Sequence, residues 1–190
     1  MIPAYAQSPR LLFRSPESSD APTLVRWLND PEVTVHIART LPIGLEEELS
    51  WLKARAGDQR NITLLLVSRD GDLPIGCAGL RDIALPDRKA SFGIMIGEKE
   101  CWDRGFGSEA TEVMLGIAFE RLGLNRVELQ VDETNPRAIR VYEKAGFRNE
   151  GVARKARFQN GRFVDVRQMA ILADEWRANR SPVAGTVCQT

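Results

Sequence analysis

Seven consecutive residues, Arg104-Gly105-Phe106-Gly107-Ser108-Glu109-Ala110, constrain what this chain can fold into more than any other stretch. They join an apolar, strand-like segment at 90–97 to an amphipathic stretch that reads as a helix over 107–122. The start of a helix exposes backbone N–H groups with no partner inside the helix, and the helix dipole adds positive partial charge there. The two glycines permit positive φ and leave the backbone bare of Cβ atoms. Together these features make a place for a phosphate or diphosphate without a metal. A plain turn ahead of a helix has the same short pattern, so the rest of the chain must decide between the two.

The central helix carries Ala110, Val113, Met114, Ile117 and Ala118 inward and Glu109, Glu112 and Glu120 outward. Before it, three strands at 61–69, 74–81 and 89–97 read as an antiparallel meander, with Asp70-Gly71 as its first turn. A short strand at 11–14 precedes a helix opened by Ser18-Ser19-Asp20 and Pro22, with Leu24, Val25 and Leu28 on one face, that stops at Asn29-Asp30-Pro31. A second helix over 45–56 places Leu45, Leu49, Leu52 and Ala56 at helical spacing. Its first turn holds Glu46, Glu47 and Glu48, where the dipole favours acid.

After the central helix, residues 126–131 alternate, with Val127, Leu129 and Val131 on one face. Asn135 and Pro136 cap and open a helix over 136–145, and Gly146 ends it in the left-handed region. Strands at 147–158 and 162–172 flank Asn160-Gly161 as a terminal hairpin. A meander joined to a β-α-β-α unit predicts a mixed sheet with helices on both faces.

Composition narrows the function. With 190 residues, 43% of them hydrophobic, the chain can bury one ordinary core, which we place in a single domain over 8–176. Residues 177–190 carry no periodicity and are expected to form a disordered tail. Zero net charge argues against nucleic acid as a partner, although 134–170 carries nine Lys/Arg against three acids, a local +6. No apolar run is long enough for a membrane span, and the N-terminus lacks the pattern of a signal peptide. Cys77, Cys101 and Cys188 show no paired spacing, which points to a reduced, cytoplasmic protein without a metal. His36 is the only histidine, so a Ser-His-Asp triad could be built only around it.

The order of these pieces resembles the GNAT superfamily of acetyl-CoA-dependent N-acetyltransferases over residues 11–172. The strand 92–96 feeding R-G-F-G-S-E-A is similar to the family's pyrophosphate loop. V-D-E-T-N-P-R-A-I-R-V-Y-E-K-A-G-F at 131–147 is similar to its second motif, with Asn135, Arg140, Tyr142, Gly146 and Phe147 at matching offsets. I-G-E-K-E-C-W-D-R-G-F-G-S-E-A, and the opening R-L-L-F-R-S-P-E-S-S-D, resemble the RimJ/RimL-like branch. Trp102 stands where many members have Gln or Arg.

The resemblance implies an α/β (α+β) fold with a GNAT-like mixed, mostly antiparallel central sheet. It implies acetyl-CoA as cosubstrate, no metal, and direct attack by a primary amine in a ternary complex. The acceptor would be a peptide N-terminus, a polyamine or a small-molecule amine, and the protein a monomer or homodimer. The diphosphate would sit on the backbone of Arg104, Gly105, Phe106, Gly107, Ser108 and Glu109. Ile94 and Ile96 would pair with pantetheine amides as an added strand does. Arg137 and Arg140, on the helix over 136–145, could meet the outer phosphates or form a solvated face, the latter being the reading for Lys144, and Asn135 could touch the cofactor arm as well as cap the helix.

Tyr142 takes the place of the usual acid that protonates the departing thiolate. For the general base the candidates are Glu98, at the end of the central strand, Glu133, His36 and Ser91, with water alone as a further option. Asp30, Glu32 and Glu46–Glu48 make the N-terminal part acidic, and this part usually forms the acceptor wall in the family, which favours a cationic amine. Two other classes stay open: a non-catalytic acyl-CoA sensor of the same fold, and a dinucleotide-binding protein, since G-F-G-S-E-A also fits G-x-G-x-x-G/A.

Overall fold

The computed structural model describes residues 4–37, 41–55 and 57–180. In chain order they form β1 (Ala6–Gln7), β2 (Leu11–Arg14), α1 (Ala21–Leu28), α2 (Pro31–Thr34), α3 (Leu45–Ala54), β3 (Ile62–Ser68), β4 (Leu73–Ala84), β5 (Lys89–Ile96), α4 (Phe106–Gly116), β6 (Arg126–Asp132), α5 (Pro136–Lys144), β7 (Arg148–Gln159), β8 (Arg162–Leu172) and α6 (Ala173–Asn179). One eight-stranded sheet runs in the order β1-β2-β3-β4-β5-β6-β8-β7. Only the β5–β6 pair is parallel. This is the predicted mixed, mostly antiparallel sheet. It removes the dinucleotide-binding alternative, which needs successive parallel β-α-β units.

Strand alternation sorts the side chains onto two faces. On one, Leu64, Leu66, Phe92, Val127, Leu129 and Met169 pack with residues of α4, α5 and α6 in the larger core. On the other, Leu65 and Val67 meet Leu24 and Trp27 of α1 and Val33 of α2. β3 serves both layers because its apolar run is unbroken from Leu64 to Val67. Trp27 lies so close to Gly97 that a Cβ there would come within 2.1 Å of the indole, so only glycine fits after β5.

Several local expectations change. The buried face of α1 is Ala21, Leu24 and Trp27, not Leu24, Val25 and Leu28. In α3, Leu45 is exposed and Glu48 is buried; Ala56 lies outside the described residues. The central helix starts at Phe106, and its last turn, Ile117–Arg121, is a π turn closed by Leu122 N–H donating to the Ile117 carbonyl at 3.0 Å. The wider turn buries Ile117, Ala118 and Phe119 in succession, and Phe119 packs on Trp176 with ring centroids 5.4 Å apart. Trp176 belongs to α6, which continues to Asn179 beyond the boundary expected at 176; residues 181–190 lie outside the described ones. Its start is fixed by the Glu175 carboxylate, which accepts from Leu172 N–H at 3.0 Å. Asn160 and Gly161 both adopt positive φ, as the predicted hairpin turn requires.

Candidate active site

The site begins with a failure of pairing. β5 pairs with β4 along its length, from Lys89 to Ile96. It pairs with β6 only over Lys89–Ser91, opposite Arg126–Glu128. The strand starts are pinned by Asn125 and Arg126 N–H groups donating to the Arg88 carbonyl at 2.7 and 3.1 Å. Beyond Ser91 the two strands part, and β6 continues against β8 alone. Residues 92–96 therefore present an open backbone edge inside the sheet, not at its margin. A linear ligand with amide groups can add to such an edge as a strand does.

A cavity of about 1210 Å³ fills the opening and reaches both faces of the sheet. Ile94, Ile96, Gly105, Phe106, Gly107, Ser108, Asn135, Arg140 and Tyr142 border it, as do Ser91 and His36. Sequence reasoning thus brings most of its candidates to one place. Gly105, with φ +81°, forms the cap of α4. The first helical bond of α4 is Glu109 N–H to the Gly105 carbonyl at 3.1 Å, which leaves the N–H groups of Phe106, Gly107 and Ser108 for a ligand. A Cβ built on Gly107 meets nothing within 4 Å, so this glycine serves no packing need. Trp102 anchors the loop: its indole N–H donates to the Ile96 carbonyl at 2.8 Å. Arg137 stacks over Trp102 at 4.9 Å and pairs with Asp103 at 3.1 Å.

On α5, the Asn135 side chain caps the helix by accepting from Ala138 N–H at 3.1 Å. Arg140 and Lys144 border the cavity and make no ion pair among the described residues, which leaves both cations available to an anionic ligand. Tyr142 is buried, with its ring against Phe92 at 6.1 Å and Phe147 at 5.8 Å. Burial pushes its phenol up to about 12. The hydroxyl has no hydrogen-bond partner among the described residues, yet it is not among the polar atoms sealed from solvent.

Four candidates lie elsewhere. The Arg104 side chain rests over the Phe106 ring at 5.7 Å, its carbonyl accepts from Arg10, and it does not border the cavity. Glu109 faces the N-terminal turn instead of solvent or ligand: it accepts from Ser8 Oγ at 2.7 Å and Arg10 N–H at 2.9 Å. Burial pushes its carboxyl up, but those donors and the Arg10 guanidinium outweigh burial and hold it below the ordinary value. Glu98 is bound by Arg26, and by the Trp27 indole N–H at 3.0 Å. Arg26 above all holds its carboxyl below the usual range, which suits an ion pair and not a base. Glu133 is paired with Arg167 at 2.8 Å. The acidic acceptor wall is likewise changed: Asp30 and Glu32 bind Lys99 at 2.8 and 2.7 Å, and Glu46–Glu48 do not border the cavity.

The partners of His36 escaped the sequence reading, which named the histidine but not Asp132, Arg157 or Gln159. Asp132, fully buried at the end of β6, meets Arg157 of β7 at 2.5 Å, and His36 and Gln159 at 3.3 Å each. Only strand alternation could have flagged it, since Asp132 follows Glu128 and Gln130 on the polar face of β6. No group of three or more metal-ligating side chains is found among the described residues.

An open strand edge beside a bare helix N-terminus, with a phenol at their junction, can hold an extended diphosphate-bearing thioester and release its thiolate. Comparison with known proteins agrees. Residues 10–148 match the acetyltransferase (GNAT) domain, and the chain belongs to this family. The L-amino acid N-acetyltransferase AaaT of Escherichia coli is 31% identical over 163 residues, covering 84% of this chain and 96% of that protein. A spermidine N(1)-acetyltransferase of Vibrio cholerae is 36% identical over 107 residues, 56% of this chain and 61% of that one. The crystal structure of spermidine N-acetyltransferase from Vibrio cholerae, in complex with CoA and spermine, superimposes with a TM-score of 0.84 at 25% identity, covering 90% of this chain and 99% of that one. This protein is thus an N-acetyltransferase that uses acetyl-CoA, which retires the reading as a non-catalytic sensor.

Proposed function

We propose that the protein transfers the acetyl group of acetyl-CoA to the primary amine of a small molecule, in a ternary complex and by direct attack. The observation that carries this reading is the open edge of β5 at 92–96 beside the free N–H groups that begin α4. In this reading the pantetheine arm adds to the edge at Ile94 and Ile96. The diphosphate sits on Gly105, Phe106, Gly107 and Ser108, with Arg140 and Lys144 near the outer phosphates and Asn135 beside the arm. Tyr142 donates to the sulfur as the C–S bond breaks. Arg104, Glu109 and Glu98 drop out: Arg104 does not border the cavity, the Glu109 N–H is taken by the Gly105 carbonyl, and Arg26 holds the Glu98 carboxylate.

A small-molecule acceptor is favoured by relatives named for amino acids and for spermidine. Steering of a cation by Glu46–Glu48 is not retained, since that triplet lies away from the cavity. The motif at 96–110, together with a relative named as a putative ribosomal N-acetyltransferase, supports placing the chain near the RimJ/RimL-like branch. We also place its work in the cytoplasm, as a monomer or homodimer, in keeping with Cys77 and Cys101 as free thiols.

The test is a panel of amino acids, polyamines, aminoglycosides and peptides with acetyl-CoA, read by release of free thiol. At least one small amine is expected to reach the ordinary enzymatic range, kcat/KM of about 10⁴ M⁻¹s⁻¹ or more. Turnover confined to peptide N-termini would contradict the small-molecule reading.

A further inference from the structure

The structure assigns a general base to this reaction: we propose that His36, positioned by Asp132, takes the proton from the acceptor's ammonium. This rests on the proposed transfer to a primary amine. His36 borders the cavity with its side chain 28% exposed, while the Asp132 side chain is fully buried behind it. The Nδ1 atom lies 3.3 Å from Asp132 Oδ2. A carboxylate at that place accepts the Nδ1 proton and leaves the lone pair on Nε2, which has no partner among the described residues. The Gln159 amide N–H donates to the same carboxylate oxygen at 3.3 Å.

Among the described residues the charged group in contact with the ring is Asp132 from β6, which Arg157 from β7 pairs in turn, and the Gln159 amide nitrogen lies 3.5 Å from Nδ1. Arg157 pairs with the other Asp132 oxygen at 2.5 Å and so fixes the carboxylate that orients the ring. The backbone that carries His36 is held as well. Asp30 caps α2 by accepting from Glu32 N–H at 2.9 Å, and Lys99 ties Asp30 and Glu32 to the segment that follows β5.

The other acids at the cavity are engaged: Glu32 with Lys99, Glu128 and Glu150 with Arg126, and Asp103 with Arg137. Acyl transfer to an amine that arrives as its ammonium takes two protons off the nitrogen. One leaves through His36 Nε2 to solvent, which frees the nitrogen lone pair. That pair forms the C–N bond as the C–S bond breaks. The second proton leaves the new amide nitrogen and ends on the sulfur, which Tyr142 serves.

The test compares wild type with His36→Gln on an alkylamine, whose ammonium has a pKa of about 10.4. Wild-type kcat/KM should level off well below that pKa. The variant can use only amine already neutral in solution, so its kcat/KM should be lower by about 100-fold near pH 7 and rise tenfold per pH unit up to the amine's pKa. A variant whose profile keeps the wild-type shape would overturn the assignment. A wild type that acetylates no amine would instead defeat the proposed function. His36 is the only histidine, so its ¹⁵N resonances in the resting enzyme give an independent readout. The expected tautomer carries its proton on Nδ1; a proton on Nε2 would overturn the role given to Asp132.

Discussion

Replacing Tyr142 with phenylalanine is expected to lower kcat about 100-fold while leaving the Kd for acetyl-CoA unchanged. Phenylalanine keeps the ring contacts with Phe92 and Phe147 and removes only the hydroxyl. The phenol stands at about 12, against a thiol near 8.5, so complete proton transfer to the thiolate is uphill by about 5 kcal/mol. That fits within the barrier of roughly 16 kcal/mol that corresponds to kcat near 10 s⁻¹. It also means that Tyr142 acts chiefly by holding its proton against the sulfur as charge develops, with transfer completed late. The sign of the pH effect follows. An acid must be protonated to work, and burial keeps this one protonated through the neutral and mildly alkaline range. A loss of wild-type kcat with a midpoint below pH 10 that disappears in Tyr142→Phe would contradict this placement, as would a variant with full kcat.

Gly107→Val should weaken acetyl-CoA binding about 100-fold, equivalent to about 2.7 kcal/mol, with the fold intact. The backbone at Gly107 is helical and open on the side where a Cβ would project, so a branched side chain meets no protein atom. It would instead occupy the space in front of the free N–H groups of α4, where the diphosphate must come close. Gly105 cannot serve for this test, because its φ of +81° and the Arg10 side chain 3.4 Å from its Cβ position would strain any replacement. Titration calorimetry on the folded variant decides it, and an unchanged Kd would remove the diphosphate from this loop.

What could be read from the chain was local. The meander 62–96 follows from alternation and the turn at Asp70-Gly71, and α5 from an asparagine cap, a proline and a terminal glycine. The glycine loop was legible as an anion site because its chemistry resides in consecutive residues. The splay of β5 from β6 was not, since it depends on where pairing stops between strands that start 37 residues apart. The roles of Glu98 and Glu109 were misread for the same reason. Their partners, Arg26 and Arg10, lie 72 and 99 residues away, and a side chain's availability depends on what reaches it. His36 and Asp132, separated by 96 residues, become a pair only in the folded sheet. The π turn and α6 were missed because a single wide turn and a seven-residue helix leave too short a period to detect.

The central claim is that acetyl-CoA lies along the open edge of β5 and against the first turn of α4. Amide hydrogen exchange on the wild-type protein, with and without the cosubstrate, tests it most directly, because both places consist of backbone N–H groups. Exchange should slow at 92–96 and 105–108 when acetyl-CoA is present, with little change along β1, β2 and β7. Protection concentrated elsewhere, with these two segments unchanged, would contradict the account.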